Sequence, residues 1–256
     1  MRTLLSLSFL SLLMVTSSPT SAASPDTQCY EMRIYYAAPG KLDDLNARFR
    51  NHTLKIFEKH GMKNVGYWMP IDNPESKLVY VLAYPSKAAR DQAWKEFGSD
   101  PEWKAVAKAT EANGRLVAKV EIKFMNATDY SPLIVPEKSS ESRVFELRTY
   151  TATPGKLSNL NARFRDHTVE LFKNHGMKNI AYWNILPGEK GSDDTLIYFL
   201  AHASKAAGEA SFKSFRDDPK WKAARKASED NAGGSLTVPD GVKSEYMVPT
   251  DYSPWK

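Results

Sequence analysis

The order of hydrophobic and polar positions predicts a short series of strands and helices. Residues 29–36 alternate apolar and polar side chains, which is the period of a strand with two different faces. Within 41–60, apolar residues recur at spacings of three, four and seven, which predicts an amphipathic helix. The pattern then predicts strands at 65–69 and 78–84, a helix capped by Ser86, a helix starting at Asp100-Pro101 and a strand at 117–125.

The whole pattern occurs twice in the chain. Residues 30–68 align without gaps to 145–183, and more than half of the aligned positions are identical. Each copy also ends on the same five residues, Thr-Asp-Tyr-Ser-Pro. A repeat of this length duplicates whole domains rather than the units of a solenoid. We therefore divide the chain into a leader at 1–23, a first domain at 24–132, a linker at 133–143 and a second domain at 144–256.

The β-α-β-β-α-β order of each copy predicts an α+β fold of the ferredoxin-like type. One such unit leaves a sheet face bare, and a bare face of this size needs a cover. Two tandem copies meet that need by packing sheet against sheet, with the helices outside and a small cavity between the sheets. Because one chain supplies both halves, we expect a monomer that is internally a pseudo-dimer.

Several motifs in both copies resemble the NIPSNAP family. In the second copy they are Glu146-Leu147-Arg148-Thr149-Tyr150, Pro154-Gly155-Lys156-Leu157, His175-Gly176, Tyr182-Trp183 and Asp218-Pro219-Lys220-Trp221. The resemblance covers essentially all of the chain after the leader, and it implies a dimeric α/β barrel formed within one chain. That superfamily includes cofactor-free monooxygenases, haem-dependent chlorite dismutases and small-molecule-binding proteins, so the resemblance implies no single activity.

The polar face of the first strand in each copy is the leading candidate site. If Met32 and Ile34 pack under the helices, the alternating face lies between the sheets. Its charged pairs then form either an ion-pair network that joins the two halves or a site for a small polar or anionic ligand. The candidate residues on this face are Glu31, Arg33, Tyr35, Glu146, Arg148 and Tyr150.

Three further side chains are candidates for the same cavity. Trp68 and Trp183 alternate with tyrosines along their strands, so one residue of each pair is expected to face inward. His202 stands where the first copy has Tyr84, which is one of the few chemical differences between the copies. We assign no catalytic residue.

The composition excludes several classes of function. The chain is 42% hydrophobic and 25% charged, with a net charge of +5, and its lysines are scattered among acidic residues. Nucleic-acid binding normally needs a concentrated basic surface, so none is expected. The sequence has no pair of metal ligands at a typical spacing, no phosphate loop and no dinucleotide fingerprint, so we expect neither a metal nor a cofactor.

Residues 1–23 have the pattern of a signal peptide. Arg2 precedes the apolar stretch 4–15, and the small residues Ser21-Ala22-Ala23 form a cleavage site. The apolar stretch is shorter than the roughly 20 residues that span a bilayer. We therefore expect an exported protein, periplasmic or secreted, with no stable membrane insertion after cleavage.

These observations favour a non-enzymatic NIPSNAP-type protein that binds a small molecule between its sheets or acts as an interaction scaffold. The alternative is a cofactor-independent, monooxygenase-like enzyme with a small aromatic substrate, on which a His or Tyr acts. A weaker alternative is haem binding through a histidine.

Overall fold

The computed structural model describes residues 26–137 and 143–256. The predicted signal peptide and residues 138–142 of the predicted linker lie outside the described residues. In the first repeat the elements are β1 Cys29–Ala37, α1 Leu42–Arg48, a π-helical turn Phe49–Thr53, α2 Leu54–Lys59, β2 Lys63–Pro70, β3 Lys77–Tyr84, α3 Lys87–Ser99, α4 Pro101–Thr110 and β4 Val117–Ala127. In the second they are β5 Val144–Ala152, α5 Leu157–Arg163, a π-helical turn Phe164–Thr168, α6 Val169–Asn174, β6 Lys178–Ile185, β7 Thr195–His202, α7 Lys205–Asp217, α8 Pro219–Asn231 and β8 Thr237–Pro249.

The eight strands form one closed antiparallel barrel in the order β1-β3-β2-β8-β5-β7-β6-β4. The repeats meet at two joints. At the first, Trp68 on β2 pairs with Pro249 on β8, and at the second Met125 on β4 pairs with Ile185 on β6. The predicted fold is thereby confirmed, with the repeats joined edge to edge into a single barrel. Closure leaves no exposed sheet edge at either joint.

The barrel interior is filled by a buried apolar cluster to which every strand contributes. Tyr30 and Met32 of β1 belong to it, together with Trp68 and Trp183. The prediction that Met32 packs under the helices, and that the polar face of β1 lies in an inter-sheet cavity, is therefore wrong. An apolar interior needs no polar partners, whereas the charged face requires donors that the helices supply. The seven remaining candidates, Glu31, Arg33, Tyr35, Glu146, Arg148, Tyr150 and His202, lie on the outer, helix-facing surface of the barrel.

The predicted helix starts are confirmed by their capping hydrogen bonds. The backbone N–H of Ala89 donates to Oγ of Ser86, and that of Glu102 donates to Oδ1 of Asp100. His60, which follows α2, contacts the other carboxylate oxygen of Asp100 at 2.7 Å. The hydrogen bonds of Lys59 and His60 lower the pKa of Asp100, so this carboxylate is ionised at neutral pH and ties α2 to α4.

The amphipathic helix predicted at 41–60 is interrupted by a π-helical turn. In this turn Oγ1 of Thr53 donates to the carbonyl of Arg48 at 3.2 Å, and Thr168 makes the same bond to Arg163 at 3.1 Å. A π-helical turn inserts a residue and is frequently found at functional sites. Hydrophobic periodicity alone did not indicate it, because the apolar stripe continues across the turn.

The five-residue motif that ends each repeat packs against the opposite repeat. Tyr130 donates a hydrogen bond to Asn161, and Tyr252 donates one to Asn46. Ring stacking places Tyr252 against Phe49 in the π-helical turn of the first repeat. The two repeats thus support each other's helix layers as well as sharing a barrel.

Candidate functional site

Each repeat contains a pocket between its helices and the outer face of the barrel. The first helix–sheet pocket has a volume of about 290 Å³, and the second has about 340 Å³. They occupy equivalent positions, because most of their lining residues align in the two repeats. The first is lined by Tyr35, Arg48, Phe49, Thr53, Phe57, Phe97 and Trp103. The second is lined by the equivalents Tyr150, Arg163, Phe164, Thr168, Phe172, Phe215 and Trp221.

In the first repeat, the carboxylate of Glu31 is surrounded by donors from three elements. Its two oxygens accept hydrogen bonds from Arg33, from Arg90 and Trp94 of α3, and from the hydroxyl of Tyr84. Burial alone raises the pKa of Glu31, but the hydrogen bonds and charges of Arg90 and Arg33 outweigh burial and lower it. Glu31 is thus an ionised structural carboxylate beneath α3.

The second repeat builds the equivalent cluster differently. Glu146 accepts a hydrogen bond from Arg148, and its other oxygen lies 3.0 Å from Nε2 of His202. Gly208 stands at the position of Arg90, and a Cβ there would lie 2.9 Å from the hydroxyl of Tyr246. Burial, followed by the negative charge of Glu146, raises the pKa of Tyr246 to about 12, so its hydroxyl stays protonated.

The clusters border the pockets through two arginines that lie over aromatic rings. The guanidinium of Arg33 lies 4.1 Å from the ring centroid of Trp94, and that of Arg148 lies 4.2 Å from the ring centroid of Phe212. Arg148 lines the second pocket directly. A cation over a ring face is attracted to it, so each arginine is fixed in place by its carboxylate and its ring together.

The second pocket has more positive charge than the first. Arg216 and Arg225 line it in addition to Arg148 and Arg163, and the corresponding positions of the first repeat are Gly98 and Ala107. Among the described residues that line this pocket, Glu229 is the one acidic side chain. An anion therefore finds a more favourable potential in the second pocket than in the first.

The structure divides the predicted site residues among three places. Tyr35, Arg148 and Tyr150 line the helix–sheet pockets, while Trp68 and Trp183 lie in the barrel interior. The rest belong to the carboxylate clusters at Glu31 and Glu146. The pocket residues that the sequence reasoning missed are chiefly Arg163, Arg216, Arg225 and Trp221. Two of them, Arg216 and Arg225, are visible in the repeat alignment as changes from small residues to arginine.

The sequence profile of the NIPSNAP family matches residues 30–132 and 145–254, which is most of the chain. The chain belongs to the NIPSNAP family. It is 21% identical over 228 residues to the mouse (Mus musculus) protein NipSnap homolog 3B, covering 89% of this chain and 85% of the mouse protein. The NIPSNAP resemblance inferred from the motifs is thereby confirmed.

Solved structures with other names share the fold. A candidate monooxygenase from Lactobacillus acidophilus has a TM-score of 0.55 at 10% identity, over 88% of this chain and 94% of its own. An anthrone oxidase-like protein has a TM-score of 0.57 at 13% identity, over 88% of this chain and 92% of its own. At such low identity the likeness shows a common architecture and carries no residue roles.

The described residues give little support for a metal or haem site. Within 26–137 and 143–256, no group of three or more metal-ligating side chains is close enough to hold an ion. Neither helix–sheet pocket has a histidine in its described lining, although haem usually takes its axial ligand from such a residue. In the same ranges, no helix has the length and apolar character needed to cross a bilayer.

Proposed function

We propose that this NIPSNAP protein binds a small aromatic molecule in its second helix–sheet pocket. The observation that carries this proposal is a cavity of about 340 Å³ that combines several aromatic walls with the buried Arg163 and the half-buried Arg148. Small-molecule sites in proteins are typically concave, mostly apolar and several hundred cubic ångströms in volume, with a few placed polar groups. The pocket has a volume in this range and an apolar surface formed chiefly by aromatic rings, although its arginines make it more polar than most such sites, and the aromatic walls favour a planar ligand.

The first pocket is the less suitable ligand site, because a larger and fixed aromatic ring occupies part of it. Trp94 stands at the position of Phe212, so the first repeat places the larger ring in its pocket. The indole N–H of Trp94 donates to Glu31 at 2.8 Å, which fixes that ring. The second pocket has the smaller phenyl ring and the larger volume, so it has more room for a ligand.

Native mass spectrometry of the purified protein tests this proposal, together with thermal-shift measurements on a panel of small aromatic compounds. We expect either a bound molecule that dissociates on denaturation or at least one compound that raises the melting temperature. The Phe212→Trp variant should weaken that binding, since it fills the second pocket with the ring that the first repeat already accommodates.

Trp94→Phe is the matched control, because it enlarges only the first pocket. It should leave the binding unchanged while lowering stability through the lost hydrogen bond to Glu31. The proposal fails if nothing binds in either assay, or if Phe212→Trp binds as well as the wild type does.

A second candidate function is the oxidation of an aromatic substrate by molecular oxygen without a cofactor. It is favoured by the buried contact of His202 with Glu146, which is absent from the described first repeat because Tyr84 replaces the histidine. Two neighbours with a TM-score above 0.5 are named for monooxygenase and anthrone oxidase activities. A carboxylate that orients a histidine is a common arrangement for a general base, but His202 is only 3% exposed and lies outside the described lining of both pockets, so this candidate ranks second.

An oxygen electrode with anthrone as substrate tests this second candidate. Oxidation of the anthrone methylene to a carbonyl consumes one O₂ and releases one water, so uptake should match the quinone formed. His202→Phe should abolish the protein-dependent rate. Binding of anthrone without oxygen uptake would remove the oxidase candidate and leave the binding proposal in place.

Export is also part of our proposal. Its support is the leader pattern of 1–23, with Arg2, a short apolar stretch and a small-residue cleavage site. N-terminal sequencing of the protein recovered from outside the cytoplasm should begin close to Ser24. Recovery of the full-length chain from the cytoplasm alone would contradict export.

A further inference from the structure

We propose that the ligand of the second helix–sheet pocket is an aromatic carboxylate, with its negative charge held by Arg163. This inference rests on the proposed binding function and names the ligand's chemical class. It also assigns the binding to one pocket per chain, although each of the two repeats has a pocket with an equivalent lining.

The argument begins with the partners of Arg163. This residue is only 6% exposed and lines the second pocket. Its Nε and Nη1 are buried without a hydrogen-bond partner among the described residues. Its nearest acid is Glu229, whose Oε1 lies 3.7 Å from Nη1, beyond hydrogen-bonding distance. Two buried guanidinium nitrogens without hydrogen-bond partners are costly, and the long ion pair with Glu229 offsets that cost only in part, so an anion entering the pocket would lower it.

In the described part of the chain, the equivalent arginine of the first repeat lacks a partner only at Nε, whereas Arg163 lacks one at both Nε and Nη1. Arg48 is equally buried, but its Nη1 donates to Oε1 of Glu111 at 3.0 Å. The guanidinium groups of Arg48 and Arg163 each lie 5.2 Å from the ring centroid of the neighbouring tryptophan. The two sites therefore share their packing and differ in whether the arginine has an internal carboxylate partner.

A single substitution between the repeats explains this difference. Arg225 stands where the first repeat has Ala107, and its Nε donates to Oε1 of Glu229 at 3.1 Å. Glu229 is the counterpart of Glu111, so Arg225 binds the very oxygen that would otherwise serve Arg163. Burial, the larger effect, lowers the pKa of Arg163, and Glu229 offsets this only in part.

The planar guanidinium of Arg163 and the aromatic walls of the pocket indicate the chemical class of the ligand. A guanidinium matches a carboxylate better than a spherical anion, since its planar N–H groups can donate two parallel hydrogen bonds. The rings of Phe172, Phe215 and Trp221 line the same cavity and offer apolar faces for a planar ring system. Arg216 and Arg225, both exposed and in the lining, attract an anion toward the pocket.

Isothermal titration calorimetry with 2-naphthoate and its uncharged analogue 2-naphthamide tests the inference at neutral pH. We expect one 2-naphthoate per chain, bound about tenfold more tightly than the amide, since a charge-assisted hydrogen bond gains about that factor. Arg163→Met should abolish the preference for the carboxylate while 2-naphthamide still binds. Arg163→Lys should retain part of it, because the charge remains without the planar fork.

Arg48→Met is the matched control, as it removes the equally buried arginine of the first pocket. It should keep the tenfold preference, and circular dichroism should show both Met variants folded. Equal binding of the two probes by the wild type would overturn the carboxylate inference and leave the pocket function intact. Two naphthoates per chain would overturn the single-pocket assignment. If neither probe binds and the aromatic panel also finds no ligand, the proposed function itself fails.

Discussion

Nε2 of His202 lies 3.0 Å from Oε2 of Glu146, with both side chains buried beneath α7. The equivalent contact in the first repeat is a hydrogen bond of 2.9 Å from the Tyr84 hydroxyl to Oε2 of Glu31. The repeats thus keep a carboxylate at the same place and change its partners. Glu31 has four donor side chains, whereas Glu146 has Arg148 and His202, with the hydroxyl of Tyr246 close enough to interact with it.

Because of this difference, removing His202 and removing Tyr84 should lower the free energy of unfolding by different amounts. His202→Phe should lower the free energy of unfolding by about 3 kcal/mol, because the buried Glu146 has fewer donors than Glu31 and loses one of them. Tyr84→Phe should cost only about 1 kcal/mol, since three other side chains still donate to Glu31. Urea denaturation of both variants measures the difference. Equal costs would show that the contact with His202 contributes no more than a neutral hydrogen bond.

Replacing the glycine of α3 by alanine and replacing the glycine of α7 by alanine should change stability in opposite directions. Gly98→Ala should raise stability by about 0.5 kcal/mol, because nothing lies within 4 Å of the added Cβ and alanine favours a helix. Gly208→Ala should lower stability, because its Cβ would lie 2.9 Å from the hydroxyl of the half-buried Tyr246 and 3.0 Å from the buried ring of His202. Thermal unfolding compares them, and a stabilised Gly208→Ala protein would contradict this packing.

The lowered pKa of Glu31 predicts a pH-dependent contribution to stability. A carboxyl group whose pKa is lower in the folded chain stabilises the fold above its unfolded pKa of about 4.3. That contribution is lost as the pH falls through the folded pKa. Glu31→Gln should therefore cost about 3 kcal/mol near neutral pH and progressively less in acid. Denaturation at a series of pH values gives the profile.

Asp91→Asn is the control for this pH profile. Asp91 is exposed, and the hydrogen bond of Lys87 lowers its pKa as well. Exposed ion pairs contribute little, so this variant should differ from the wild type by less than about 1 kcal/mol at any pH. A pH-independent cost of Glu31→Gln would mean that Glu31 acts through packing rather than charge.

Closure of the barrel within one chain predicts a monomer in solution. Both joints, Trp68 with Pro249 and Met125 with Ile185, pair strands of the same chain. Light scattering after size exclusion should give the mass of a single chain across a range of concentrations. An obligate dimer would instead point to strands exchanged between chains at one of these joints.

Much of the fold could be predicted because its signals are local. Ser86 and Asp100 have the side chains that cap helices, and the structure shows both capping bonds. The candidate site was harder to predict. The alternation along β1 defines two faces, yet it does not say which one points into the barrel. Arg90 and Trp94 of α3 donate hydrogen bonds to Glu31 and thereby hold it on the outer face of the barrel. Both residues are distant from Glu31 in sequence.

The sequence by itself determined the duplication, the element order, the family and the chemical differences between the repeats, because each is a property of residue types and their spacing. Only the tertiary structure decided what those differences do. It placed the polar face of β1 beneath the helices, filled the barrel with aromatic and aliphatic side chains, and set the distance between Arg163 of α5 and Glu229 of α8. Arg163 thereby loses a partner that Arg48 retains. Whether a buried charge is satisfied depends on ångström distances between helices, which residue spacing along the chain does not specify.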